Sequence, residues 1–281
     1  MLSTYKKVLF SMAPVYFAYK KSLATNNNNI DEYSIFLIDK FASQSSTFYH
    51  ISNGFIESIR STEEQVLTGF DIFSFNSTFR AIIETYVTFN GLFVTPANVE
   101  EKKAKFLLWK IDGLTEKAKL EFEEDVLSLE SDKKQIQLWE DEFEQSDFYK
   151  LFNEKGIKEI YKRGKVHNWK FTTTGINVKP YGTLKFSKIV TKSTAISNIY
   201  NLTSMHVHSG FYAIEQFKKV RGKIVNDNYI DSNLVQAVYI TACLIKDLTK
   251  INEGAMKAYN NLDIGSKEII EMAYTKLRGE E

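Results

Sequence analysis

An all-α protein is what this sequence predicts, and three observations predict it. Three prolines and thirteen glycines in 281 residues are too few for an all-β chain, which needs turn residues about every 8 to 12 positions. Apolar residues recur at steps of three and four through most of the chain, the period of a half-buried helix. Capping residues and breakers punctuate those runs where helices should start and stop. With 43% hydrophobic residues, the chain can build a real core, which excludes disorder of the whole.

The spacing predicts a first helix over residues 3–24, ended by Thr25 and the asparagines 26–29, whose short amides compete for backbone hydrogen bonds. A second helix starts at Asp31, a capping carboxylate, and its stripe of Tyr33, Phe36, Leu37, Phe41, Phe48 and Ile51 runs on toward Arg60. Ser61-Thr62-Glu63-Glu64 reads as a capping box that opens a long helix to Phe93. That helix is apolar on most sides, which suits the centre of a bundle. Asn90-Gly91 and Pro96 mark its end.

Further helices are expected over 98–130 and 132–152, then a loop over 166–181 with a short extended piece. Helical spacing returns over 187–217, 232–260 and 264–277. The architecture expected is a helical bundle of seven or eight helices, one domain over 1–281, with residues 98–165 as a charged helical arm or insertion.

Charge excludes some functions and leaves others. The 36 Lys+Arg nearly cancel the 35 Asp+Glu, so the whole molecule offers no net attraction to nucleic acid or membrane. Locally the balance is lopsided: residues 116–147 hold twelve acids and four bases, and residues 150–192 hold eleven bases and two acids. Two halves of a solvated arm that attract each other would explain this. A basic surface for phosphate, made of Lys158, Lys162, Arg163, Lys165 and Lys170, is the alternative.

The single cysteine, Cys243, excludes an internal disulfide and a Cys-rich zinc site, and it sits in an apolar run. No run reaches the roughly 18 apolar residues of a membrane span. Lys6-Lys7 and the apolar stretch after them mimic a secretory leader, but Pro14 interrupts it and Lys20-Lys21 follow without a cleavage site. A cytoplasmic protein is the expectation.

Two constellations carry chemistry. Asn76, Arg80 and Glu84 in FNSTFRAIIETYVTF stand four apart on one side of an apolar helix. Either Arg80 and Glu84 form an ion pair that ties helices together, or Glu84 orients Arg80 to hold a phosphate or carboxylate. Tyr200, Ser204 and His208 in IYNLTSMHVHSGF share a second stripe. Histidine is the side-chain type that titrates near neutral pH, so His208 suits a general acid or base, while His206 points elsewhere. Four scattered histidines without clustered carboxylates argue against a metal, and no phosphate-cradling glycine loop is present. No cofactor is expected.

These segments, taken with FLLWKIDGL and HNWKF between them, resemble a family of all-helical bacterial proteins of unknown function, common in Bacteroidetes, over residues 65–250. That resemblance implies that Arg80, Glu84, Tyr200, Ser204 and His208 are the polar marks of the group. More distantly the chain is similar to the HEPN ribonucleases of toxin–antitoxin and phage-defence systems. Those are dimeric helical bundles with Arg-x(4–6)-His on one helix. Here Arg163-Gly-Lys-Val-His167 is one residue too short, and Arg80 and His208 come from different helices.

Two functions therefore stand side by side. One is a phosphate-handling enzyme of bacterial defence or stress, a metal-independent nuclease with Arg80, Glu84 and His208 catalytic. Asn76, Tyr200, Ser204, Lys162 and Arg163 would bind its RNA or nucleotide substrate. The other is a non-catalytic binding or regulatory module in which the same residues fix helix register. A homodimer is the expected assembly, with no membrane partner.

Overall fold

The computed structural model describes residues 1–24, 29–60, 71–118, 126–151, 154–160, 168–174, 177–207, 211–220 and 227–278. Side chains at 29, 54–60, 126–129, 159, 207, 212, 216, 217, 219, 220, 227, 228, 277 and 278 fall outside that description. So do the capping box Ser61–Glu64, the basic residues Lys162, Arg163 and Lys165, and the histidines His167 and His208.

The fold is all-α. In chain order come α1 (Leu2–Leu23), α2 (Asn29–Arg60), α3 (Ile72–Phe89), a π-helical turn (Asn90–Val94), α4 (Val99–Lys117), α5 (Val126–Gln145), α6 (Asp147–Lys150) and α7 (Glu154–Ile160). A hairpin of β1 (Phe171–Thr174) and β2 (Asn177–Pro180) follows. Then come α8 (Thr183–Thr191), α9 (Thr194–Val207), α10 (Phe211–Val220), α11 (Asp227–Ile251), α12 (Glu253–Asn260) and α13 (Ile264–Arg278). The chain forms two compact units, one of Met1–Asn90 with Ser187–Glu281, the other of Gly91–Phe186. Among the described residues no helix is long and apolar enough to cross a membrane.

The first unit is built on α1, α2, α3 and α11. Along α1, the residues Tyr5, Val8, Met12, Val15 and Tyr19 are buried at helical spacing. Three of its tyrosines also fix it to α2 by hydrogen bonds: Tyr5 Oη donates to the Ser45 carbonyl (3.3 Å), Tyr16 Oη donates to Asp39 (2.6 Å), and Tyr19 Oη pairs with Ser34 Oγ (2.7 Å). Pro14 lies inside α1, where it cannot donate to the Phe10 carbonyl. Between α2 and α3, Phe48 stacks on Phe79 at 5.1 Å and lies 4.7 Å from Phe75. Leu234, Val238, Ile245 and Leu248 of α11 are buried, as is Cys243.

Several runs that read as one helix in the sequence are divided in the fold. The run over 187–217 breaks at Lys192, which adopts a left-handed φ of 53°. Ser193 then starts α9 by accepting from the Ile196 amide (3.3 Å). The run over 232–260 breaks at Asn252, whose side chain caps α12 through the Ala255 amide (2.9 Å). Period-3.6 spacing continues across each break, so hydrophobic pattern alone does not reveal it. Breaks of this kind give thirteen α-helices among the described residues, in place of seven or eight longer ones.

The aromatic helix begins at Ile72, where Asp71 accepts from the amides of Phe73 and Ser74 (both 3.0 Å). It does not simply stop at Asn90: the chain passes into a π-turn there. Gly91 is required by space, because a Cβ would come within 2.7 Å of the Phe186 ring.

In the second unit the hairpin pairs Phe171 with Pro180 and Thr174 with Asn177, and it is the extended piece expected in the 166–181 loop. Beneath it a buried ion pair joins Lys105 to Glu101 on α4 (2.9 Å). Lys105 Nζ lies 4.9 Å from the Phe171 ring centre, and Thr173 Oγ1 donates to Glu101 (3.3 Å). Burial lowers the Lys105 pKa against the opposing pull of Glu101.

Candidate oxyanion site at the α3–α9 contact

α3 presents Asn76, Arg80 and Glu84 on one side because four residues make just over one turn. α9 presents Tyr200 and Ser204 by the same rule. The two helices pack together in the first unit, and four of these five side chains meet.

Arg80 is the hub. Its Nε donates to Glu84 Oε1 (3.0 Å), one terminal nitrogen donates to Ser204 Oγ (3.1 Å) and the other to Tyr200 Oη (3.4 Å). Tyr200 Oη in turn donates to Glu84 Oε1 (2.9 Å), which closes a ring of bonds across 116 residues of sequence. The guanidinium carbon also lies 5.1 Å from the Tyr200 ring centre, a cation–π contact.

The cluster is neither sealed nor fully spent. The Arg80 side chain is 18% exposed and that of Glu84 is 42% exposed. A guanidinium has five N–H donors, and three serve these contacts, so among the described residues two N–H groups remain. Glu84 Oε2 likewise makes no bond among the described residues, and Ser204 Oγ has its own proton to donate.

Electrostatics keep the hub charged and the phenol neutral. Burial disfavours the Arg80 charge, but Glu84 and Tyr200 together more than offset it, and the pKa is raised overall. Tyr200 is raised first by burial and then by Glu84, with Arg80 opposing. At neutral pH Tyr200 is therefore a donor to Glu84 and an acceptor from Arg80. The arrangement can hold an oxyanion on a charged, oriented fork.

The other sequence candidates fall elsewhere. Asn76 is fully buried; its amide nitrogen donates to the Ile72 carbonyl (2.8 Å) and its oxygen accepts from Tyr229 Oη of α11 (2.8 Å). It ties α3 to α11 instead of joining Arg80. His206 is buried beside Phe73, ring centres 5.9 Å apart, as its offset from the Tyr200 stripe suggests. Lys162 and Arg163 belong by sequence to the second unit, and with His208 they lie outside the described residues. Lys158 is exposed and reaches Glu154 at 3.9 Å, and Lys170 lies over Trp169 at 4.5 Å. Among the described residues no group of three metal-ligating side chains occurs.

One buried polar cluster escaped the sequence reading. Asp247 of α11 is fully buried and accepts from Tyr86 Oη (2.8 Å) and from Asn90 Nδ2 (2.6 Å) at the start of the π-turn. Its signal was present: an acid in the apolar run ITACLIKDLTK opposite a Tyr-x-x-x-Asn pair.

No protein-family model, curated protein or solved structure matches this chain.

Proposed function

We propose that the Arg80 cluster is an oxyanion site and that the protein handles phosphate on RNA or a nucleotide without a metal. The observation that supports this reading is the partly exposed guanidinium, held on Glu84 and Tyr200 with N–H donors to spare. Glu84 and Tyr200 orient Arg80, Ser204 adds a hydroxyl, and His208, four residues beyond Ser204, moves the proton. In RNA cleavage the ribose 2′-oxygen would bond to phosphorus as the P–O5′ bond breaks. His208 would take the 2′-hydroxyl proton and deliver it to the 5′-oxygen, with Arg80 stabilising the charge that builds on the non-bridging phosphate oxygens. The likeness to HEPN ribonucleases suggests bacterial defence or stress as the setting and a homodimer as the assembly.

A second reading has its own support. All three guanidinium nitrogens already bond to protein, as in a network that sets the register of α3 on α9. Turnover on labelled RNA and a nucleotide panel, with and without chelator, separates the two. Chelator-resistant cleavage that disappears in folded Arg80→Ala and His208→Ala variants is the expected result. No cleavage, or cleavage unchanged in both folded variants, would leave the register network as the function of these residues.

A further inference from the structure

α1 carries an outward stripe that its packing role does not explain. Phe10 and Phe17 are 68% and 65% exposed. Seven residues apart, they lie within about 20° of each other around the helix and about 10 Å apart along it. Exposed Pro14 stands between them, and Lys6 precedes and Lys20-Lys21 follow them on the exposed side. The helix contains four lysines and no acid. Lys7 is paired to Asp263 (3.2 Å), and Asp39 on α2 is engaged by Tyr16. Lys6, Lys20 and Lys21 have no ion-pair partner among the described residues; Lys6 and Lys20 instead lie 5.9 Å from the rings of Phe10 and Tyr16.

We infer that this stripe docks the protein on an anionic lipid surface, with Phe10 and Phe17 entering the interface and Lys6, Lys20 and Lys21 meeting the head groups. Charge selects this occupant over a second copy of the chain. An antiparallel pairing that set Phe10 against Phe17 would also set Lys6 against Lys21, and a parallel one would set each lysine beside its own copy. Two exposed phenylalanines between cations match the apolar and charged halves of such a surface. The inference is independent of the Arg80 site, and it departs from the sequence expectation of no membrane partner, which rested on whole-molecule charge and the lack of a spanning run.

Flotation of the full chain with vesicles of phosphatidylcholine, alone or with three-tenths phosphatidylglycerol, tests it. Binding should favour the anionic vesicles by at least about tenfold and fall steeply in 0.5 M salt, where the Debye length shrinks to about 4 Å. Each of Lys6→Gln, Lys20→Gln and Lys21→Gln should weaken it about fivefold. The double variant Phe10→Ser/Phe17→Ser should weaken it at least about tenfold while unfolding at the wild-type temperature, since both rings are exposed. Absence of binding, equal binding to neutral vesicles, or anionic binding unchanged in the folded variants would overturn it. So would finding that the stripe variants abolish self-association or RNA binding and leave vesicle binding intact.

Discussion

At the scale of single residues, polar side chains inside the first unit differ in what their loss should cost. Tyr200→Phe deletes the bond donated to Glu84 and the long bond accepted from Arg80 at a partly open site, and a loss of about 0.5–1.5 kcal/mol in denaturant unfolding is expected. Asp247→Ala is a heavier change, because it removes a fully buried acceptor to which both the Tyr86 hydroxyl and the Asn90 amide donate. About 3 kcal/mol is expected there. A cost for Asp247→Ala no larger than that for Tyr200→Phe would contradict the burial argument. Sequence periodicity marked Arg80, Glu84, Tyr200 and Ser204 because each pair shares a helix and a spacing of four. Their meeting across α3 and α9 was not legible, since nothing local specifies which helix packs on which. Asn76 shows the limit: it shares the stripe, but Tyr229, far along the chain, claims it.

At the scale of elements, caps decide where helices begin, and two of them can be probed. Asp71 opens the helix that carries Arg80, and Asp71→Ala should cost about 1 kcal/mol in unfolding free energy. Asp263 precedes α13, and its carboxyl is pulled down to about 2 by the Ser266 hydroxyl, the Ser266 amide and Lys7. A lowered folded pKa means that the contribution is complete above the ordinary carboxylate value of about 4 and is lost as pH falls toward 2. Protection of the α13 amides, taken relative to the intrinsic exchange rate at each pH, should therefore fall between pH 4 and 2 in wild type, and the part due to the cap should vanish in Asp263→Ala. Protection that is flat across that window in wild type would count against the cap. The bounds of α1 and α2 were legible because an asparagine run separates two clear apolar stripes. The breaks at Lys192 and Asn252 were not, because the apolar period continues through both.

At the scale of the whole molecule, the tyrosines of the first unit set its alkaline limit. Burial pushes Tyr19 up to about 12, and it raises Tyr5, Tyr16, Tyr200 and Tyr259 as well. A raised folded pKa favours the neutral phenol. Its stabilising effect is whole below the free value of about 10 and is lost as pH climbs through the folded values. Phenolate absorbance from these tyrosines should therefore appear together with loss of helical circular dichroism as pH climbs well above 10. Ionisation of all tyrosines near pH 10 with the helices intact would contradict this. The all-α class was readable from proline, glycine and apolar spacing alone. Asn90-Gly91 and the charged arm or insertion over 98–165 are readable in the sequence, and the second compact unit runs from Gly91 to Phe186.

The phosphate reading rests on Arg80 acting as a fork, and calorimetric titration of inorganic phosphate and a nucleoside monophosphate into wild type and Arg80→Lys addresses that directly. Lysine keeps the charge and loses the two-pronged donor geometry. Wild type should bind, and folded Arg80→Lys should bind about 10- to 100-fold more weakly. No binding by wild type, or equal binding by the two proteins, would mean that Arg80 serves only to hold α3 against α9.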